Sequence, residues 1–136
     1  KIVLLGTPSE EKLLNRINSY CPPGKINIIP AVNLRVLSGV IKKSRLFIGN
    51  DSGMMHLASM VGTPIVAIFG PGNVGTTGPY MAPENYEILT ENYSCSPCRQ
   101  RFFKECKPSP HNKPYCLEDI TVKNVYEAIH RLLKRI

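Results

Sequence analysis

Residues 46–72, LFIGNDSGMMHLASMVGTPIVAIFGPG, constrain the fold more than any other stretch. An apolar run, residues 46–48, ends at Gly49. The polar turn Asn50-Asp51-Ser52-Gly53 follows, then a segment, residues 54–61, that reads as a helix. Gly62-Thr63-Pro64 breaks it, and residues 65–69 are a second apolar run. Strand, tight turn, helix and strand in so few residues predict two parallel strands joined by a crossover helix. A polar turn that opens a helix after a strand suits an anion, because unbonded N–H groups and the positive helix end point outward.

The rest of the chain repeats this unit. Residues 2–5 are continuously apolar, as in a strand buried on both faces. Ser9 is the expected N-cap of a first helix, with Glu10 and Glu11 in its first turn and Leu13, Leu14 and Ile17 on one face. Cys21-Pro22-Pro23-Gly24 breaks the chain, and residues 26–29 form a short second strand. Asn33 can cap a second helix, with Leu34, Leu37, Val40 and Ile41 on one side. The order predicts an α/β fold: a Rossmann-like parallel sheet with helices on both faces. Ligands in such sheets sit beyond the carboxyl ends of the strands. Residues 6–8, 50–53 and 70–75 lie at such ends.

Residues 70–85 are rich in Gly and Pro and predict an ordered loop over the site. Residues 86–90 read as one more strand. Residues 91–117 are an irregular insertion with four cysteines. Thr121 caps the expected last helix, with Ile120 stapled to Val125. Val125, Ile129, Leu132, Leu133 and Ile136 make its buried stripe.

The chain has 136 residues, enough for one domain with a real core. It starts without Met, in what reads as a strand, so it is expected to be one domain, 1–136, of a longer protein. No apolar run approaches the ~20 residues of a membrane helix, and the opening does not read as a signal peptide. The formal charge of +7 suits an anionic ligand, nucleic acid or anionic membrane surface without choosing among them. Arg99, Arg101, Phe102, Phe103, Lys104, Lys107 and Lys113 make the insertion basic. These charges are expected to face solvent, or an anionic acceptor or membrane surface, rather than nucleic acid. His111 and His130 read as surface residues.

Two groups could carry chemistry. Gly53 lets a backbone approach a phosphate closely, and Ser52 offers a hydroxyl and an N–H. His56, one turn on, leans back toward the turn and can donate to a phosphate oxygen. Asp51 could orient His56 or brace the turn. The plain alternative is that Asp51 caps the helix and His56 packs beneath it. The second group is Cys95-Ser96-Pro97-Cys98 with Cys106 and Cys116. Four thiolates suit a tetrahedral structural Zn²⁺, with free thiols or disulfides as alternatives. Clustered cysteines without an export signal suggest a reducing compartment. Cys21 reads as a spare buried thiol.

The stretch FIGNDSGMMHLASMVGTPIVAIFGP resembles the signature of glycosyltransferase family 9, the heptosyltransferases: strand, D-[ST]-G-x-x-H, small apolar residues, G-x-P, strand, F/Y-G-P. Residues 5–11, LGTPSEE, are similar to the family's G-x-P-x-E segment. The CSPC run, Cys116-Leu117 and Asp119-Ile120-Thr121 also occur in many members. The resemblance implies a GT-B enzyme, with this chain as its C-terminal, donor-binding domain. It implies that Ser52, Gly53 and His56 contact the diphosphate of a nucleotide sugar, with Asp51 in the same turn. It places Glu10 on the ribose and Val32 near the base. The implied reaction inverts the anomeric centre, typically moving heptose from ADP-heptose to a lipopolysaccharide-core acceptor. It assigns the carboxylate base, and a Lys that helps neutralise the diphosphate, to residues outside this sequence. No cofactor is needed for that chemistry. The implied location is cytoplasmic, with or without peripheral contact at the inner membrane face. Two other readings stay open: a different GT-B enzyme (a UDP-sugar transferase or epimerase), and a zinc-stabilised nucleotide- or nucleic-acid-binding module.

Overall fold

A computed structural model describes the chain apart from residues 30–31, 99–102 and 105. Arg99, Arg101 and Phe102 of the basic insertion therefore lie outside the described residues. The chain divides into two compact units, Lys1–Leu37 and Ser38–Ile136.

The first unit holds strands β1 (Ile2–Leu5) and β2 (Ile26–Ile29), paired parallel with Ile2 opposite Ile26 and Leu5 opposite Ile29. Between them a 3₁₀ turn, Pro8–Glu10, leads into α1 (Glu11–Ser19). The chain enters the turn at Thr7, not Ser9. The Glu10 carboxylate accepts from both the N–H and the hydroxyl of Thr7, each at 2.8 Å. A carboxylate reaching back three residues satisfies a donor that the turn leaves open. Only Leu14 of the expected α1 face is buried, while Leu13 and Ile17 are exposed. Ile2 and Val3 are exposed as well, so β1 is not buried on both faces. A two-stranded sheet served by one helix covers little surface. The unit boundary falls within α2 (Leu34–Lys42). Asn33 caps α2 as its sequence suggests, its Oδ1 accepting from Val36 N–H at 3.0 Å. Ile41 is buried and Leu34 is exposed.

The second unit is built on β4 (Ile65–Phe69), which pairs parallel on one edge with β3 (Phe47–Asn50) and on the other with β5 (Tyr86–Thr90). Bonded on both edges, β4 is the most deeply covered strand: Ile65, Val66, Ala67 and Phe69 are fully buried. Its run of Ile, Val and Phe suits a pleated surface packed on both faces. Helix α3 (Gly53–Met60) returns the chain from β3 to β4 and buries Met55 and Ala58. Gly62 ends it with φ +76°, a conformation that favours glycine. The buried Thr63 hydroxyl then donates to Ile41 O at 2.8 Å.

After β4, residues 70–85 are ordered, as the sequence implies. They contain the short helix α4 (Val74–Thr77), capped by Asn73, whose Oδ1 accepts from Gly75 N–H at 2.9 Å. Residues 91–114 show no helix or strand among the described residues, and α5 (Tyr115–Glu118) takes the end of the expected insertion. Helix α6 (Val122–Arg135) is capped by Thr121 and packs Ala128 and Leu132 against Val66, with Val125, Ile129, Leu46 and Leu89 around them. Ala128 belongs to the buried stripe, and Ile136 is exposed. Two arginines fix α6 to β5. Arg131 donates twice to Glu87 Oε2, at 3.0 and 3.1 Å, and Arg135 pairs with Glu87 Oε1 at 2.6 Å. His111 is on the surface but bonds Glu118, and the exposed His130 meets Tyr126 edge to face. Among the described residues no helix is long and apolar enough to cross a membrane.

The packing predicts a sharp contrast along α6. Leu132→Ala should cost about 2–5 kcal/mol in urea unfolding, because it removes a fully buried side chain from the cluster around Val66. Val122→Ala, at a position 86% exposed, should change stability by less than about 0.5 kcal/mol.

Candidate functional site

The turn after β3 is shaped by where its backbone bonds go. Asp51 N–H donates to Ile68 O at 3.0 Å, carrying the β3–β4 ladder one residue past Asn50. Ser52 is extended, with φ −161° and ψ 166°, and α3 begins at Gly53. The first donors to bond within the helix are Met55 and His56, both to Ser52 O, at 3.1 and 3.3 Å. The N–H groups of Gly53 and Met54 precede those bonds and face outward from the helix start. The Ser52 hydroxyl makes no capping bond. Ser52 and Gly53 are exposed, and a Cβ built on Gly53 would meet no atom within 4 Å. His56 is half-buried one turn further on. Donors, an uncommitted hydroxyl and open space thus coincide at one helix start, an arrangement that favours an anion.

Asp51 takes a role that the sequence did not suggest. Its Oδ2 lies 3.2 Å from the Thr77 hydroxyl, whose single proton it shares with Asn73 O at 3.1 Å. A Cβ on Gly72 would lie 2.3 Å from the same oxygen, so the carboxylate rests against a position that only glycine leaves open. Asp51 thereby braces the loop that follows β4. A cavity of about 200 Å³ opens here, walled by Asn50, Asp51, Ile68, Gly70, Pro71 and Gly72 with Leu117. Ser52, Gly53 and His56 are not in its wall. Thr77 escaped sequence reading, and Leu117 stood out there only beside Cys116, because their contacts here are long-range. The Thr77 partner is 26 residues away, with no local pattern to mark it.

Glu10 and Val32 belong to the first unit. Glu10 lies at the end of β1, where a Cβ on Gly6 would be 3.3 Å from its Oε2. Both Thr7 bonds fall on that oxygen. The Thr7 N–H, and then its hydroxyl, hold the Glu10 carboxyl below the ordinary glutamate value. Val32 is exposed, just ahead of the α2 cap.

The four insertion cysteines share one place in the second unit. Cys95, Cys98, Cys106 and Cys116 all line a single cavity of about 190 Å³. The five cysteines, all among the described residues, form no disulfide. As placed, no three His, Cys, Asp or Glu side chains among the described residues converge as a metal-ligand set.

Parallel strands joined by crossover helices, with an open helix start at the carboxyl end of β3, make this an α/β protein of the Rossmann-like class. The model of "Glycosyltransferase family 9 (heptosyltransferase)" matches residues 1–107, and the chain belongs to that family. It is 34% identical to a lipooligosaccharide heptosyltransferase 2 of Campylobacter jejuni, over 98% of this chain and 41% of that protein. It is 29% identical to a lipopolysaccharide heptosyltransferase 1 of Pseudomonas aeruginosa, over 68% of this chain and 25% of that protein. The fold matches the crystal structure of a family 9 glycosyl transferase from Veillonella parvula with TM-score 0.80 and 27% identity, over 100% of this chain and 37% of that one. It also matches E. coli ADP-heptose lps heptosyltransferase II with TM-score 0.75 at 21% identity, over 98% of this chain and 37% of that one. The chain spans about two fifths of the length of its first relative.

Two outcomes follow from this geometry. Thr77→Val should loosen residues 72–78, seen as faster amide exchange there, and lower stability by about 1 kcal/mol. The Glu10 carboxyl should titrate by NMR below the ordinary glutamate range and return toward it in Thr7→Val. The sign follows from the lowered pKa. The contribution is present above the unfolded value and is lost as pH falls through the lower folded value.

Proposed function

We propose that this chain is the donor-binding half of an inverting glycosyltransferase that transfers heptose from ADP-heptose to a lipopolysaccharide-core-type acceptor. The observation that carries the reading is the α3 start. In a family 9 chain, Ser52 and Gly53 are exposed beside outward N–H groups, with no side chain over Gly53. The diphosphate of the donor docks there. Gly53 and Met54 N–H, the Ser52 hydroxyl and His56 bond its oxygens. Glu10 takes a ribose hydroxyl with Oε1, since Thr7 already occupies Oε2. Val32 supplies apolar surface for the base.

In this reading the chain acts on the leaving group. As the bond from the anomeric carbon to the donor phosphate breaks, negative charge grows on the diphosphate. Fixed N–H dipoles and a helix start stabilise that charge without having to reorient. The carboxylate base that takes the acceptor proton is not among these residues. Reaction at the cytoplasmic face, with an acceptor at the membrane surface, fits the +7 charge.

The test uses the full-length enzyme. Ser52→Ala and His56→Ala should each weaken ADP binding in calorimetry and slow heptose transfer, by about 10²–10³-fold in kcat for the stronger of the two. Wild-type ADP affinity and transfer in both variants would overturn the assignment. The isolated chain should bind ADP weakly and transfer no sugar, and no ADP binding at millimolar concentration would count against it.

A further inference from the structure

The insertion has little of its own to hold it in place. Residues 91–114 carry no helix or strand among the described residues, and Ser109 is the one buried residue described there. Long stretches of this kind need a staple or a partner. Yet four cysteines, spread over residues 95–116, meet at one cavity. Burial, and then the thiols of Cys98, Cys95 and Cys106, push the Cys116 thiol up. Lys107 stands in the same cavity wall.

The cavity also adjoins the loop of the candidate site. Pro71 lines both cavities. Cys98 N–H donates to Pro71 O at 3.1 Å. Leu117, the residue after Cys116, packs so closely that a Cβ on Gly70 would fall 2.7 Å from its Cγ. Whatever fixes Cys98 and Cys116 fixes both contacts to residues 70–71.

We propose that Cys95, Cys98, Cys106 and Cys116 form a tetrathiolate site for a structural Zn²⁺, and that this site positions the loop of residues 70–72. Zn²⁺ takes four thiolates tetrahedrally, and a C-x-x-C turn supplies two of them. The structure holds the four cysteines around a common space without drawing three of their side chains into a ligand set. Binding turns them inward and releases four thiol protons, leaving a centre of net charge −2 that Lys107 partly offsets. The metal would do no chemistry on a sugar. It acts through the Cys98 and Leu117 contacts to residues 70–71.

The experiment is metal analysis of the protein purified without chelator. About one zinc per chain is expected, with four of the five thiols slow to react until the metal is removed. Cobalt exchanged into the unmutated protein should give thiolate charge-transfer and tetrahedral d–d absorption, which does not depend on any variant folding. Cys116→Ser should lose the metal, and Cys21→Ser should keep it. Metal below ~0.1 per chain with four reactive thiols overturns the site, as does an intact mass lower by the hydrogens lost to disulfides. Removing the metal should speed amide exchange at Gly70 and Gly72, and unchanged exchange overturns the positioning role. Exchange is read without nucleotide, so its outcome is independent of the donor assignment.

Discussion

The second unit depends on one junction, the point where β3 gives way to α3. Asp51 holds it in two directions. Its N–H extends the ladder to Ile68, and its carboxylate takes the Thr77 hydroxyl across the loop after β4. The first bond fixes the height at which the chain leaves the sheet. The second fixes the loop that faces that exit. Gly72 is required because Oδ2 lies where a side chain would begin. A helix entered from a strand that is still hydrogen-bonded has little freedom in its first turn. The direction of the Gly53 and Met54 N–H groups is thus set by the sheet, not by the turn's own preference.

The sheet can do this because β4 is locked from both sides. β3 and β5 occupy its edges, and Val66 packs under Ala128 and Leu132 of α6. Glu87 adds an ionic tie, held by Arg131 and Arg135 while largely shielded from solvent. Two arginines, one on each carboxylate oxygen, and the shielding of Glu87 make this tie stronger than an ordinary surface ion pair. At the other end of β4, Thr63 ties the α3–β4 turn to Ile41 of α2. The strand that carries the site loop is therefore anchored at both of its ends.

Much of this was legible in the chain. The order of strands and helices, the breaks at Gly24 and Gly62, the Asn33 and Thr121 caps and the exposed polar turn all follow from local pattern. Local chemistry decides those features: φ > 0 at a helix end, an Asn or Thr oxygen over an open N–H. Other features were not legible because their causes are distant or competitive. Ser9 and Thr7 are both good caps, and Glu10 decided between them by reaching back to Thr7. Leu13 and Ile17 share a helical face with Leu14, but periodicity does not say how wide a stripe the unit can cover. Asp51 with Thr77, and Glu87 with its two arginines, join residues far apart in sequence, and no spacing rule foresees them. The DSGxxH turn was visible as an exposed polar turn opening a helix. What sets its geometry was not.

The role of Asp51 also bears on the electrostatics of the site. A carboxylate beside a phosphate-binding turn would ordinarily oppose the ligand by like-charge repulsion. Here one of its oxygens accepts from Thr77, and its backbone N–H is already spent on Ile68. The Thr77 contact sets that oxygen against the loop that follows β4. The same residue keeps that start rigid. Removing the charge while keeping the shape, as in Asp51→Asn, separates the two effects. Lower repulsion would favour a bound diphosphate. The amide can still accept from Thr77, though more weakly than a carboxylate, so the brace would loosen. The repulsion is damped by solvent at an exposed helix start. The brace sits in a partly buried contact between two loops, where solvent damps little. In the proposed donor complex, the brace that Asp51 supplies and the repulsion that it adds therefore act on a bound diphosphate in opposite directions.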